Sequence, residues 1–386
     1  MSINNTLLII FIGLLTLSLV FYRKRFVFHT KYFPIYFCMC RTKLGIKLMQ
    51  KIAERFPRLL HYSSFFIILI GFLGMILVSF DLIRTAIELI LNPLNGISVG
   101  LVLPVEVKGA FYVPFIYWII CVFIIATIHE FMHGVFARYY KIKVKATGFA
   151  FLGVIIPLIP AAFVEPDEKR LEKSKKIAQL SVFGAGPFIN IILGLFLMIV
   201  YLFAIIPANN NIYNYQGVEI TDLFKEDTPA KQVGINIGEV INNIDNNEIK
   251  TVQDFSKSFD NKNPGDKINI ITGRASYAIT LAGTQKAVLG VFVQDKKEIK
   301  QEVLNKYGFL VNVFIWFKEL IYWLFLLNLG VGLFNLVPIG PLDGGRMFHV
   351  VLQKYLPHKH VKRVWYGVSA TFLIVILSSV IVGLIR

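Results

Sequence analysis

His129-Glu130-Phe131-Met132-His133 sets two imidazoles four residues apart, with a carboxylate beside the first. On a helix, side chains at i and i+4 share one face. Both histidines can then reach one Zn2+, and the glutamate can act as base toward a metal-activated water. On a soluble helix the same five residues could be a solvated face and nothing more. Here they lie in Phe111–Gly134, a stretch apolar enough to cross a membrane. An ionisable group at membrane depth costs about 2.5–3.5 kcal/mol even on the lenient insertion scale. Three such groups in one turn of an apolar helix therefore point to a use, and metal-assisted hydrolysis is the use their spacing allows.

A third ligand is needed. The extended motif of soluble zinc enzymes would have glycine at position 136 and histidine at 139, but Phe136 and Tyr139 stand there. Glu165 is one alternative, although its run Glu165-Pro-Asp-Glu-Lys-Arg reads more simply as a solvated loop. Asp343 is the other. It closes Asn335-Leu-Val-Pro-Ile-Gly-Pro-Leu-Asp-Gly-Gly, where two prolines and a glycine pair break an apolar helix and let the carboxylate turn inward. His129, His133 and Asp343 would leave one coordination position open, as catalytic zinc requires. Taken alone, Asp343 could equally cap a helix-ending turn.

The elements that must carry these residues are membrane spans. Of 386 residues, 55% are hydrophobic and 17% charged, the balance of a polytopic membrane protein. Apolar segments fall at about Ile3–Tyr22, Ser63–Phe80, Tyr112–Ala137, Ile177–Ile206, Phe317–Val337 and Trp365–Ile385, which predicts about six transmembrane helices. The first reads as an uncleaved anchor, because its positive charges follow the apolar run. A net charge of +16 invites a nucleic-acid partner, but its distribution argues against one. Ten Lys/Arg and one acid, Glu54, lie between Arg23 and Arg58 beside apolar spans, as in a cytoplasmic loop. Lys/Arg in Arg138–Lys145, Lys169–Lys176 and Lys354–Arg363 fit the same side. That orientation puts the amino terminus outside, His129–His133 near the cytoplasmic end of the third span, and the carboxyl terminus outside. The expected location is the cell membrane.

Cys38 and Cys40 lie in the basic loop and are expected to stay reduced, and Cys121 reads as a small apolar helix residue. Among the other histidines, His349 reads as interfacial, and His358 and His360 belong to a basic loop.

Asn209 to about Val303 differs from its surroundings: it is polar and has no spanning run. Val240–Ile244, Lys267–Thr272 and Val288–Val293 read as strands between turns at Asp245-Asn246-Asn247 and Pro264-Gly265. Thr228 to Ile249 resembles the core of a PDZ domain: a short helix, a glycine turn and a strand, followed by a helix at Val252–Phe259. By the charge-derived topology this domain is outside the cell. Gly148-Phe-Ala-Phe-Leu-Gly-Val-Ile-Ile-Pro-Leu-Ile-Pro is apolar but interrupted by Gly and Pro, so it suits strands or a re-entrant loop lining the site.

With H-E-x-x-H on one helix, Gly184-Ala-Gly-Pro-Phe-Ile-Asn190 on the next and N-x-x-P-x(4)-D-G on a third, the chain resembles the site-2 protease family of intramembrane zinc metalloproteases over about Phe111–His349. The resemblance implies a polytopic α-helical membrane protein with a membrane-associated β region and an inserted PDZ-like α+β domain. It implies zinc, one per chain, on His129, His133 and Asp343, with Glu130 as catalytic acid/base. Asn335 and Asn190 become candidates for holding substrate backbone or the developing oxyanion. The implied substrate is a membrane protein with a transmembrane helix, cut in regulated intramembrane proteolysis. Such a helix must unwind before attack, and strand addition along Gly148–Pro157 would hold it open. The expected domains are an amino-terminal transmembrane pair with its basic loop (1–110), the first part of the catalytic core (111–208), the extracytoplasmic domain (209–303) and the second part of the core (304–386). The amino-terminal region, with Arg41-Thr-Lys-Leu-Gly, falls outside the family's shared core.

Two other classes of protein share part of this pattern. An ion-coupled transporter also places His, Glu and Asp in spans, but its repeated halves with matching broken helices are not found. A silent scaffold working through the PDZ-like domain would tolerate loss of a ligand or of the glutamate, yet all four residues are present.

Overall fold

The computed structural model of the chain describes residues 3–21, 26–32, 35–91, 101–153, 157–224, 228–283 and 286–385. It begins with α1 (Ile3–Phe21), a hairpin of β1 (Phe26–Tyr32) and β2 (Ile35–Thr42), then α2 (Ile46–Arg55) and the long α3 (Pro57–Leu91). Two short parallel strands, β3 (Val102–Leu103) and β4 (Phe111–Tyr112), precede α4 (Phe115–Tyr139), the helix of the H-E-x-x-H motif. The hairpin β5 (Val144–Gly153) and β6 (Pro157–Pro166) and the short α5 (Glu168–Glu172) lead to α6 (Lys176–Val200), which runs through a π-helical turn at Tyr201–Ile205 into α7 (Ile206–Ile212).

Five helical stretches among the described residues are long and apolar enough to span a bilayer: Pro57–Leu91, Phe115–Tyr139, Lys176–Ile212, Phe309–Phe334 and His358–Ile385. About six were expected. The first falls short because its apolar run covers only Asn4–Ser18, less than the roughly 20 residues a span needs. Tyr22, the expected end of that span, lies outside the described residues.

Two compact units divide the chain, one of Met1–Tyr201 with Lys318–Arg386 and one of Leu202–Phe317. In the first, the sheet order is β1-β2-β5-β6, antiparallel throughout. The amino-terminal region joins this sheet, because β2 pairs with β5 from Tyr36↔Gly153 to Thr42↔Thr147. Gly148–Gly153 and Pro157–Pro160 are strands, and positions 154–156 lie outside the described residues. Both edges of β5 are occupied, so the strand addition expected along Gly148–Pro157 has no free edge there; among the described strands the sheet ends at β1 on one side and at β6 on the other.

The second unit carries β7 (Tyr213–Leu223), α8 (Pro229–Gln232), β8 (Val240–Ile244), β9 (Asn247–Glu248), α9 (Val252–Lys257), β10 (Lys267–Thr272), β11 (Ser276–Thr280), β12 (Val291–Ile299) and α10 (Gln301–Tyr307). Its main sheet runs β11-β10-β8-β7-β12, with β9 on β8. Alternation in β10 turns Ile268, Ile270 and Thr272 inward onto Val218, Ile220, Ile241, Ile244 and Ile279. The strand expected at Val288–Val293 begins later, since Gly290 takes a φ of +87° and Val288 makes only an isolated bridge to Ala282. The chain then returns through α11 (Phe309–Phe334), α12 (Asp343–Tyr355) and α13 (His358–Ile385).

Candidate active site

His129 and His133 lie on one face of α4, their rings 4.8 Å apart between centroids, and both are buried. Immediately after them Val135, Phe136 and Ala137 are wholly buried, so this end of α4 is anchored in the protein. Against it packs α6, whose Pro187 interrupts the helix ladder. At Gly186 a Cβ would stand 2.5 Å from Nε2 of both histidines, so only glycine admits the two rings.

Asp343 reaches the same spot from a broken element. After α11 the chain turns through Asn335–Leu342, and the Gly344 N–H donates to the Asn335 carbonyl at 2.7 Å. A side chain at Gly344 would collide with the Leu336 carbonyl, which explains the glycine after the aspartate. The Trp365 indole of α13 donates to the Gly345 carbonyl at 2.8 Å and pins the start of α12. Asp343 Oδ2 then lies 3.0 Å from His129 Nε2 and 3.4 Å from His133 Nε2.

These distances test whether the three residues suit a metal. Ligand atoms about 2.0–2.2 Å from tetrahedral zinc stand roughly 3.3–3.5 Å apart, close to what is seen. Protonation agrees. His133 Nδ1 is 2.6 Å from the Val182 carbonyl, which can only accept, so Nδ1 carries the hydrogen and Nε2, turned toward Asp343, is the nitrogen left for a metal. His129 Nδ1 meets the Asn190 side-chain amide at 3.0 Å, while Asn190 Oδ1 is buried without a partner. Exchanging the amide's N and O, which are assigned by their hydrogen bonds, gives that oxygen the Nδ1–H and frees His129 Nε2. The set fits zinc.

Glu130 belongs to the same group: His129, Glu130 and His133 offer ligand atoms within 4.8 Å of one another. One Glu130 oxygen accepts from the Val164 N–H of β6 at 2.8 Å, so the open sheet edge faces the glutamate. The cavity here is about 260 Å3 and includes Glu130, Phe163, Val164, Asn335, Asp343 and Arg346 in its wall. Asn335 lines it, with Nδ2 donating to the Val331 carbonyl at 3.0 Å. Asn190, offered by the sequence for substrate, is wholly buried behind His129 and does not line the cavity. Glu165 is engaged by Arg41 at 2.5 Å and lies outside the wall. His349 packs on Trp365, and the Cys38–Cys40 strand holds no third ligand for a metal among the described residues. Arg346 was missed by spacing: it sits at i+3 from Asp343 on α12, its guanidinium 5.6 Å from the Phe183 ring centre. The Val164 N–H and Val182 carbonyl were missed because backbone groups carry no sequence signal.

The model of peptidase family M50 matches residues 117–376. The chain belongs to peptidase family M50. It is a metalloendopeptidase set in the membrane by its apolar helices, and the residues present fit the zinc that relatives' names carry. This peptidase is 27% identical over 351 residues to the uncharacterised protein MJ0971 of Methanocaldococcus jannaschii, covering 90% of this chain and 85% of that one. It is 25% identical over 222 residues to the zinc metalloprotease RasP of Oceanobacillus iheyensis, covering 44% of this chain and 50% of RasP. With the putative zinc metalloprotease CPE1693 of Clostridium perfringens it shares 21% over 294 residues, 61% of this chain and 83% of that one. A solved PDZ domain of an SdrC-like protein from Listeria monocytogenes is 26% identical, covers 21% of this chain and 90% of its own, and superposes with a TM-score of 0.19.

Proposed function

We propose that this peptidase hydrolyses peptide bonds within or beside the transmembrane segments of membrane-anchored substrates, as in regulated intramembrane proteolysis. The observation that carries the reading is the convergence of His129 and His133 Nε2 on Asp343 Oδ2 beside Glu130. His129, His133 and Asp343 would hold one zinc per chain. When bound, zinc acidifies a water and polarises the scissile carbonyl. Glu130 takes the proton of the attacking water and returns it to the departing amine, a role that contributes about 10²–10⁴-fold. Asn335, in the cavity wall, offers an amide to the substrate backbone or oxyanion. Asn190 orients His129 instead.

A substrate helix has its amides internally bonded and must open before attack. The free edge of β6, whose Val164 N–H already meets Glu130, is the surface on which an opened strand can pair. On the same helix a second, apolar cavity of about 640 Å3 is walled by Phe123, Ala126, Thr127, Phe149 and Ala161, a fit for the substrate's apolar side chains. The basic ends of the spans support a cell-membrane location with the site near the cytoplasmic face and residues 209–303 outside, where a PDZ-like domain would filter substrates.

The test is Glu130→Gln, purified in detergent with a membrane-anchored substrate. Zinc content stays at the wild-type level while cleavage falls by at least about 10²-fold. Wild-type cleavage by that variant would remove Glu130 from the reaction.

A further inference from the structure

Lys43, Lys47, Lys51 and Arg55 recur every fourth residue, a spacing that forms one stripe along a helix. Three of them lie in α2 and Lys43 in the turn before it. All four are exposed, as is Arg58 just beyond, and among the described residues no carboxylate lies at ion-pair distance from any of the five. The one acid of α2, Glu54, is held by Gln50. Like charges at i, i+4 repel, so the stripe weakens α2 unless an anion meets it.

The chain fixes where α2 sits. Only Phe56 separates it from Pro57, the first residue of the spanning helix α3, and proline there prevents one continuous helix. A helix one residue from the end of a span lies at a membrane surface. Its third face agrees: Met49 and Ala53 are buried against α4, while Leu44, Leu48, Phe56 and Leu59 are 72%, 52%, 49% and 63% exposed beside the stripe. Apolar side chains flanked by lysine and arginine are the makeup of an interfacial helix.

We propose that α2 binds the headgroups of anionic glycerophospholipids through Lys47, Lys51 and Arg55, with Leu44, Leu48 and Phe56 among the acyl chains. Bound lipid also clamps α2 onto the helix of the metal ligands. Met49 fills the space over Gly134, the residue after His133, and the Phe131 ring packs 3.8 Å from where a Cβ at Gly45 would stand. Restraining α2 therefore restrains the turn that carries both histidines. The clamp rests on the function proposed above; the lipid site does not.

The full chain is reconstituted in phosphatidylcholine vesicles with or without phosphatidylglycerol, carrying a fluorophore at Leu48→Cys in a Cys40→Ser background. Brominated phosphatidylglycerol quenches it more strongly than brominated phosphatidylcholine. That preference falls roughly fivefold for each cation removed among Lys47→Gln, Lys51→Gln and Arg55→Gln, and survives in Lys47→Arg with Lys51→Arg. Equal quenching by both lipids, or an undiminished preference in the triple glutamine variant, overturns the site; relief by inorganic phosphate would assign it to free anions and overturn it as a lipid site. Cleavage is read in the same vesicles. Phosphatidylglycerol raises it severalfold in the wild type and not in the triple variant, whose zinc content is unchanged, and a lipid preference without an effect on cleavage overturns the clamp. Full activity of Glu130→Gln would sink the proteolytic reading while leaving the quenching result intact.

Discussion

His133 and His129 sit in one cavity but are held by different kinds of group. A main-chain carbonyl, Val182 O, fixes the His133 tautomer, and no substitution removes it. The Asn190 side chain fixes His129 and can be removed. Asn190→Ala is therefore expected to weaken zinc about 10–100-fold, the usual cost of losing a ligand's outer partner, as measured by competition with a chelator. Asp343→Ala deletes one of the three proposed ligands and should lower zinc content per chain much further at matched purity. Full occupancy in Asp343→Ala would move the third ligand elsewhere. At this scale the sequence was legible where chemistry depends on residue type at a fixed spacing, as in His129, Glu130 and His133. Asp343 could be read because proline and glycine around it announce a broken helix. The part played by Asn190 could not, because it depends on the side of His129 that α6 approaches.

Elements meet closely where glycine permits it. A methyl group at Gly186 would stand 2.5 Å from both Nε2 atoms, so Gly186→Ala is expected to force the rings apart and lower zinc occupancy. Gly330→Ala, on α11 with nothing within 4 Å, should bind zinc as the wild type does and serves as the control. In the second unit α9 is six residues long and depends on its cap: Thr251 Oγ1 accepts from the Asp254 N–H at 3.2 Å, and Asp254 Oδ2 accepts from the Thr251 N–H at 3.0 Å. Thr251→Ala should cost about 1 kcal/mol, seen as faster amide exchange across Val252–Lys257. The Thr251 hydroxyl, donating to Asp254, together with backbone N–H groups holds that carboxyl below its usual range, despite some burial. Because the folded value is depressed, the stabilisation is present above the unfolded value of about 3.9 and is lost as pH falls through the folded one. The difference between Thr251→Ala and wild type should shrink below about pH 4. Spans and the β8 and β10 strands were legible from apolar length and alternation. The hairpin β1–β2 reads as basic loop because Lys and Arg dominate its surroundings, although Ile35–Cys40 is an unbroken apolar run of strand length. β7 escaped, and β12 is legible only in its first residues, because each carries many polar residues along a strand whose partner is remote in sequence.

For the whole molecule, the proposed orientation rests on charge at the helix ends and does not need α1. In the proposed orientation, with the basic α2 inside, α3 would lead outward, α4 return with the H-E-x-x-H turn at its inner end, α6 lead out again, and α11 return to Asn335 and Asp343. The three proposed ligands would then lie at one depth, as a catalytic zinc needs. If residues 209–303 are extracytoplasmic, as proposed, deleting them should preserve zinc binding and cleavage of a short, already trimmed substrate while changing selectivity among intact ones. Membrane-impermeant thiol labelling in intact cells tests the arrangement. Glu248→Cys is the outer probe, since it is exposed and avoids the φ of +68° at Asn246, and Lys173→Cys, also exposed, is the inner one. Both are made in a Cys40→Ser background, because Cys38 and Cys121 are buried. Glu248→Cys should react and Lys173→Cys should not until the membrane is permeabilised. The reverse pattern would invert every span, set His129, His133 and Asp343 near the outer face, and call for substrates cut from the other side of the membrane.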